Sequence, residues 1–243
     1  ITRGDETLSS RPVIIGFGPA GIFAAMALAE AGLKPIVFER GSSVNKRVLA
    51  IDNFYKTKEL NPDCNIQFGA GGAGTFSDGK LTTRIGDHRC GYVLEKLHKL
   101  GAPDDILWKA KPHIGTDILR TVIENADKYI TDLGGEIRYD TKVISISDDY
   151  IETTEGKIES SCTIVATGHS ARDIYSMLYE KGFCMEAKPF SVGVRAEHLQ
   201  SDIDAALYGD SDLSEKIGHG EYQLSYRQGD RGVYTFCMCP GGE

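Results

Sequence analysis

The sequence predicts an α/β fold: a parallel sheet crossed by helices, followed after about residue 185 by the start of a mainly antiparallel β domain. Three observations predict it. Pro12–Ile15 and Pro35–Phe38 are short β-branched or apolar runs, with a helical pattern packed between them. A long amphipathic stripe over Asp117–Leu133 then gives way, through Gly134-Gly135, to several short strand-like runs. From Phe190 onward the pattern becomes alternating and the helical spacing is lost.

Taken in order, Pro12–Ile15 ends in glycine and reads as a strand. Between Pro19 and Ala31, Ala20, Phe23, Ala24, Ala27, Leu28 and Ala31 recur at helical spacing, and Gly32 stops the helix. Pro35–Phe38 is the next strand, and strand, helix and strand form a right-handed βαβ crossover. Helical signals return at Tyr92–Leu100 and at Asp117–Leu133, where Ile118, Leu119, Val122, Ile123, Ala126 and Ile130 share a stripe. Strands are expected at Glu136–Ile146, Tyr150–Thr154 and Thr163–Ala166, and a helix at Asp173–Lys181. Beyond these, Ser191–Glu197, Tyr222–Tyr226 and Val233–Cys237 read as alternating strands. The expected organisation is therefore a polar lead-in over 1–10, one domain over 11–185 and the start of another over 186–243. Because Ile1 is not an initiator residue and the chain stops in turn chemistry at Pro240-Gly241-Gly242, a longer parent protein is expected.

Composition narrows the function classes. The 243 residues carry 27 Lys+Arg against 35 Asp+Glu, a net charge of −8. No Lys/Arg run is long enough to make a nucleic-acid or anionic-membrane patch, so neither partner is expected. The uncharged stretch Pro12–Ala29 is 18 residues long, near the lower limit for a membrane span, but Pro12, Gly16, Gly18, Pro19 and Gly21 make it strand, turn and helix. It also lacks the basic start and cleavage site of a signal peptide, and the cytoplasm is the expected compartment. Six cysteines without a CxxC pair suit free thiols in a reducing compartment. The six histidines show no ligand spacing, and no metal site is expected.

Gly16-Phe17-Gly18-Pro19-Ala20-Gly21 is a GxGxxG pattern with a strand before it, a helix after it and an acid, Glu39, ending the next strand. Gly16 makes the tight turn, Gly18 lets backbone approach a pyrophosphate and Gly21 lets the helix pack on the sheet. Pro19 suits the first helical turn, whose free N–H groups, Ala20 included, favour phosphate. Glu39, eighteen residues after Gly21, would accept from a ribose diol and disfavours a 2′-phosphate. The alternative is a glycine-rich turn without ligand. A second cluster, Gly69-Ala70-Gly71-Gly72-Ala73-Gly74-Thr75-Phe76-Ser77-Asp78-Gly79, has five glycines in eleven residues. Such a loop costs backbone entropy, so it reads either as a close approach to a ligand, which a flavin would exploit, or as a surface loop.

These segments, together with Glu39-Arg40-Gly41, Lys111-Pro112-His113-Ile114-Gly115-Thr116-Asp117, Ala166-Thr167-Gly168-His169-Ser170-Ala171-Arg172-Asp173, Phe190–Arg195 and Phe236–Gly242, occur in a recognisable order. Over nearly the whole chain, from Arg11 to Glu243, the sequence resembles the bacterial family of predicted FAD-dependent dehydrogenases, within the two-dinucleotide-binding flavoproteins. The resemblance implies a Rossmann-like FAD/NAD(P)-binding domain followed by part of a substrate domain. It implies FAD as cofactor, with NAD(P)H as a transient electron donor, and an oxidoreductase acting on a small organic substrate. It also implies roles for residues: Gly16, Gly18, Pro19, Ala20 and Gly21 at the pyrophosphate, Glu39 at the adenosine ribose, and Arg40 and Arg47 flanking ribose and phosphate. Gly71, Gly72, Ala73, Gly74, Thr75 and Ser77 would approach the flavin half. Val143 would clamp adenine, and Ala166-Thr167-Gly168 would pass along the dinucleotide. The family usually has an acid where Ala70 stands. Members continue well past the region matched, so whether this chain alone holds FAD stays open.

His113 and His169 are candidate acid–base groups, or loop anchors, and Lys80, Arg84 and Arg195 candidate anion-gathering groups, or solvated charge. Cys237 and Cys239 would share a face of a strand, as a redox pair or as plain thiols. Two other function classes remain: a flavin- or dinucleotide-binding protein without turnover, such as a redox sensor or RNA-modification accessory, and an NAD-only dehydrogenase. Substrate and oligomeric state do not follow from the sequence.

Overall fold

A computed structural model describes residues 7–76, 79, 81, 83, 85–109, 114–209, 212–235 and 238. The chain divides into two compact units, Ile1–Met185 and Glu186–Glu243.

The first unit starts from β1 (Val13–Ile15) and β2 (Ile36–Phe38), whose six side chains are all buried. Burial on both faces, with no apolar/polar alternation, is the mark of a covered parallel strand. Between them lies α1 (Pro19–Glu30), as the apolar spacing predicts. Next come α2 (Val44–Thr57), α3 (Arg89–Lys99) and α4 (Thr116–Asp132). Then follow β3 (Glu136–Arg138), β4 (Val143–Ile146), β5 (Tyr150–Thr153), β6 (Gly156–Glu159), β7 (Thr163–Val165) and α5 (Arg172–Glu180).

The parallel sheet has the order β3-β2-β1-β7, with Val13 opposite Ile36 on one side and Thr163 on the other. Successive side chains of a strand point to opposite faces, and that alternation divides the core. Ile14 and Val37 pack with Ala25 and Met26 of α1 and with Val122, Ile123 and Ala126 of α4. Val13, Ile15, Ile36 and Phe38 pack instead on Val143, Ile146 and Ile151 of the antiparallel sheet β4-β5-β6. The unit is thus three layers: helices, parallel sheet, antiparallel sheet.

Several expectations change. The single strand expected over Glu136–Ile146 is two strands in two different sheets. Asp140 sits between them at φ 54, a left-handed corner that aspartate tolerates better than most residues. The corner is pinned by Asp140 N–H to Gly41 O and Thr141 N–H to Glu39 O, both at 3.0 Å. The second change is α2, which the sequence pattern did not predict.

The second unit holds α6 (Gln200–Tyr208), α7 (Leu213–Ile217) and the antiparallel hairpin β8 (Ser225–Gln228) and β9 (Arg231–Tyr234). Gly229, at φ 60, makes the tight turn between the strands. Ser191–Glu197 is exposed and forms no strand, and the later strands start at Ser225 and Arg231 rather than at the expected Tyr222 and Val233, the expected end at Cys237 lying outside the described residues.

Among the described residues, no helix is long and apolar enough to cross a membrane, and no group of three or more His, Cys, Asp or Glu is placed to hold a metal ion. Cys64, Cys90, Cys162 and Cys184 are free thiols, whereas Cys237 and Cys239 lie outside the described residues.

Candidate functional site

A cavity of about 410 Å³ opens at the carboxyl ends of β1, β2 and β7, where the sheet order turns from β2 to β7 across β1. That is the position at which open α/β sheets take their ligands. Its floor is Ile15 and Gly16, its rim Gly18, Pro19 and Ala20.

Gly16 has φ +104, and a Cβ there would stand 2.5 Å from the Ala166 carbonyl oxygen. Its N–H donates to Phe38 O at 2.8 Å, which ties the turn to β2. Gly18 caps α1 without any side-chain hydrogen bond, and no acidic residue occupies the first turn. An α-helix leaves its first N–H groups without intrahelical acceptors. Here those donors, with the positive end of the helix dipole, face a cavity. Gly21 does not line it: a Cβ there would meet Gly16 O at 1.9 Å, so its lack of a side chain serves the packing of α1 on the turn.

The second glycine cluster meets the first. Gly71 N–H donates to Phe17 O at 2.8 Å, and a Cβ on Gly72 would lie 3.2 Å from the Gly18 Cα. Gly72 and Ala73 line the cavity, with Gln67, Phe68 and Gly69. Gly71, Gly74 and Thr75 do not; Thr75 is fully buried, with its hydroxyl unpaired. Ser77, Lys80, Arg84 and Lys111-Pro112-His113 lie outside the described residues.

Arg47 departs from its expected place beside ribose and phosphate. It is fully buried in α2, and its guanidinium is spent on the chain's own backbone. Nε donates to Asn65 O at 2.9 Å, Nη2 to Ile66 O at 2.8 Å, and Nη1 to Ala70 O and Gly72 O, each at 2.7 Å. The guanidinium also lies 4.6 Å from the Phe76 ring centroid. Arg47 therefore staples the loop that carries the second glycine cluster. Burial lowers its pKa to about 10, against the pull of Glu39, and leaves it cationic at neutral pH.

Glu39 lines the cavity but is only 5% exposed. One carboxylate oxygen accepts from Phe17 N–H at 2.7 Å and the other from Gly41 N–H at 2.8 Å. Each oxygen keeps acceptor capacity toward the cavity. Burial pushes its pKa up, and the two N–H groups, Arg47 and Arg40 only partly offset this.

The opposite wall comes from Val165, Ala166, Thr167, Gly168 and His169, which run from β7 past the glycine turn. Ala166 N–H donates to Ile15 O at 2.8 Å, and Tyr175 OH to Gly168 O at 3.0 Å. Arg40, Thr141, Val143, Ser170, Ile174 and Tyr175 close the end beyond Glu39. Ile174 and Tyr175 carried no sequence signal, since the face that α5 presents depends on packing the pattern does not specify.

The residues present fit a dinucleotide. An uncapped helix N-terminus on a glycine cradle suits a pyrophosphate, and a fixed carboxylate beyond it suits a ribose diol. His169 is the described candidate acid–base side chain among the lining residues.

Residues 189–243 match the family model described as "FAD-dependent protein, C-terminal domain-like". The whole chain is 49% identical, over 249 aligned positions, to an uncharacterized protein of Clostridium beijerinckii, and covers 47% of it. It thus spans about half the length of that relative. Among solved structures it is similar to the THI4 protein of Thermovibrio ammonificans at 14% identity and a TM-score of 0.45, over 72% of this chain and 62% of the other. A glycine oxidase of Geobacillus kaustophilus gives 14% and 0.38, over 71% and 59%. A thioredoxin reductase of Lactococcus lactis gives 21% and 0.36, over 66% and 36%. The family match covers the last 55 residues of the chain, 189–243, whereas the likeness to the Clostridium protein runs along all of it.

Proposed function

We propose that the chain is the FAD-binding part of an oxidoreductase that passes electrons between bound flavin and a small organic substrate, with NAD(P)H as electron donor. The observation that carries the reading is the uncapped N-terminus of α1 opening on a glycine-lined cavity, with the Glu39 carboxylate fixed beside it. FAD, when bound, supplies the two-electron redox chemistry. The chain's own residues bind and orient it. The N–H groups of Gly18 and Ala20 take the pyrophosphate. The free lone pairs of Glu39 take the ribose hydroxyls, and Val143 and Ile174 cover the nucleobase. Gly72 and Ala73 admit close backbone approach toward the flavin half. His169 stands on the cavity wall, where it would hold or donate a proton.

The test is a visible spectrum of the purified full-length parent, then release and identification of any flavin. The expected result is FAD that NADH or NADPH reduces and an acceptor reoxidises. Gly16→Ala, which forces a Cβ onto the Ala166 carbonyl at positive φ, should lower flavin occupancy about tenfold or more. A colourless protein that takes up no added FAD overturns the reading and leaves an NAD-only dehydrogenase. Bound FAD that no donor reduces would leave a flavin-binding protein without turnover.

A further inference from the structure

Arg40 belongs to an ionic network that a glycine-turn nucleotide site does not by itself require. Its Nη2 donates to both carboxylate oxygens of Asp173, at 2.9 and 3.0 Å, and its Nη1 stands 3.7 Å from Asp63 Oδ1. The guanidinium lies over Phe68, 4.8 Å from the ring centroid. Lys142 Nζ approaches Asp173 Oδ2 at 2.7 Å and Asp63 Oδ1 at 3.9 Å. Two cations and two carboxylates thus alternate across four segments: the end of β2, the stretch before the second glycine cluster, the residue preceding β4 and the first turn of α5.

An isolated surface pair contributes little, but a network that shares partners orders each side chain only once. The Arg40 side chain is also only 12% exposed. Arg40, Phe68, Val143 and Ile174 line the cavity beyond Glu39, whereas Asp173 does not reach it. Asp173 immediately precedes Ile174, so its bond to Arg40 ties the first turn of α5 to the opposite wall.

Resting on the FAD reading above, we infer that Asp173, acting through Arg40, positions the nucleobase end of the cavity and so sets the chain's preference for FAD over FMN. The two ligands share the flavin half and differ in the adenosine half, the part that would meet Phe68, Arg40 and Ile174. A planar guanidinium gripped by both carboxylate oxygens and laid on an aromatic face is already ordered before ligand arrives. Binding then avoids the entropy of immobilising a free arginine and the first turn of a helix. Asp173 touches no ligand and is a positioning residue.

The experiment titrates flavin-free full-length protein with FAD, ADP and FMN by calorimetry. It compares wild type with Asp173→Asn and Asp173→Glu, and thermal unfolding of the flavin-free forms reports the fold. In Asp173→Asn, FAD and ADP should weaken together by about tenfold while FMN stays within about twofold, and Asp173→Glu should recover most of the loss. Parallel weakening of all three ligands, or FAD binding as tight as wild type, overturns the inference. Wild-type protein that binds neither FAD nor ADP overturns the FAD reading along with it.

Discussion

Glu39, in the cavity wall, and Asp173, just outside it, are two acids that respond to pH in opposite senses. Burial dominates at Glu39 and raises its pKa above 4.5. Between 4.5 and that raised value the folded chain holds a proton that the unfolded chain has lost. Its contribution to stability is therefore full below 4.5 and is lost as pH rises through the folded value. At Asp173 burial pushes up, but hydrogen bonds from Lys142 and Arg40 outweigh it and bring the pKa from 3.8 down to about 2. That contribution is present above 3.8 and is lost as pH falls toward about 2. Glu39→Gln removes the first dependence alone. Wild-type stability relative to this variant, measured by urea unfolding of flavin-free protein, should fall as pH rises above about 5. A constant difference would mean that Glu39 is already ionised in the fold at the lower pH. The part of the site legible in the sequence is the part whose chemistry is local: Gly16 and Gly18, and Glu39 at the end of the next strand. Arg47 was not legible in that way. Sequence supplies a charge but does not say whether its donors go to a ligand or to the chain's own carbonyls.

At the scale of elements, β1, α1 and β2 were readable because run length, spacing, Pro19 and Gly32 all agree. α2 was not. Its buried residues are Val44, Arg47 and Ile51, so an arginine fills the middle position of the core stripe and breaks the apolar period. The merged strand over Glu136–Ile146 has a related cause, since its corner is made by Asp140 with no glycine or proline to mark it. The alternation in Ser191–Glu197 shows which side chains would share a face if extended, but a strand also needs a partner for its backbone. The contacts of Arg47 tie α2 to the loop, and this gives a measurable expectation. Arg47→Met removes the donors to the carbonyls of Asn65, Ile66, Ala70 and Gly72 while keeping much of the side-chain bulk. Stability should drop by about 3 kcal/mol or more, because buried carbonyls are left unpaired. A loss below about 1 kcal/mol in urea unfolding would show that the loop holds its shape without the staple.

For the whole molecule, the division into two units predicts where protease enters first. Residues 181–199 are exposed throughout and contain no helix or strand. Brief trypsin treatment of the 243-residue chain should cut at Arg195 before any site in the first unit. First cleavage within α1 or α4 would contradict that order. The sheet order also bears on how the protein is made. Val13, in the first strand, pairs with Thr163, 150 residues later. At about 5–20 residues per second of synthesis, the first strand waits roughly 8–30 s for that neighbour. Until then its edge is unpaired, and Gly16 lacks the Ala166 carbonyl that later lies against it. The glycine turn under the cavity is thus among the last parts of the first unit to close, and a nascent chain stalled before residue 163 exposes a buried strand to chaperones and aggregation.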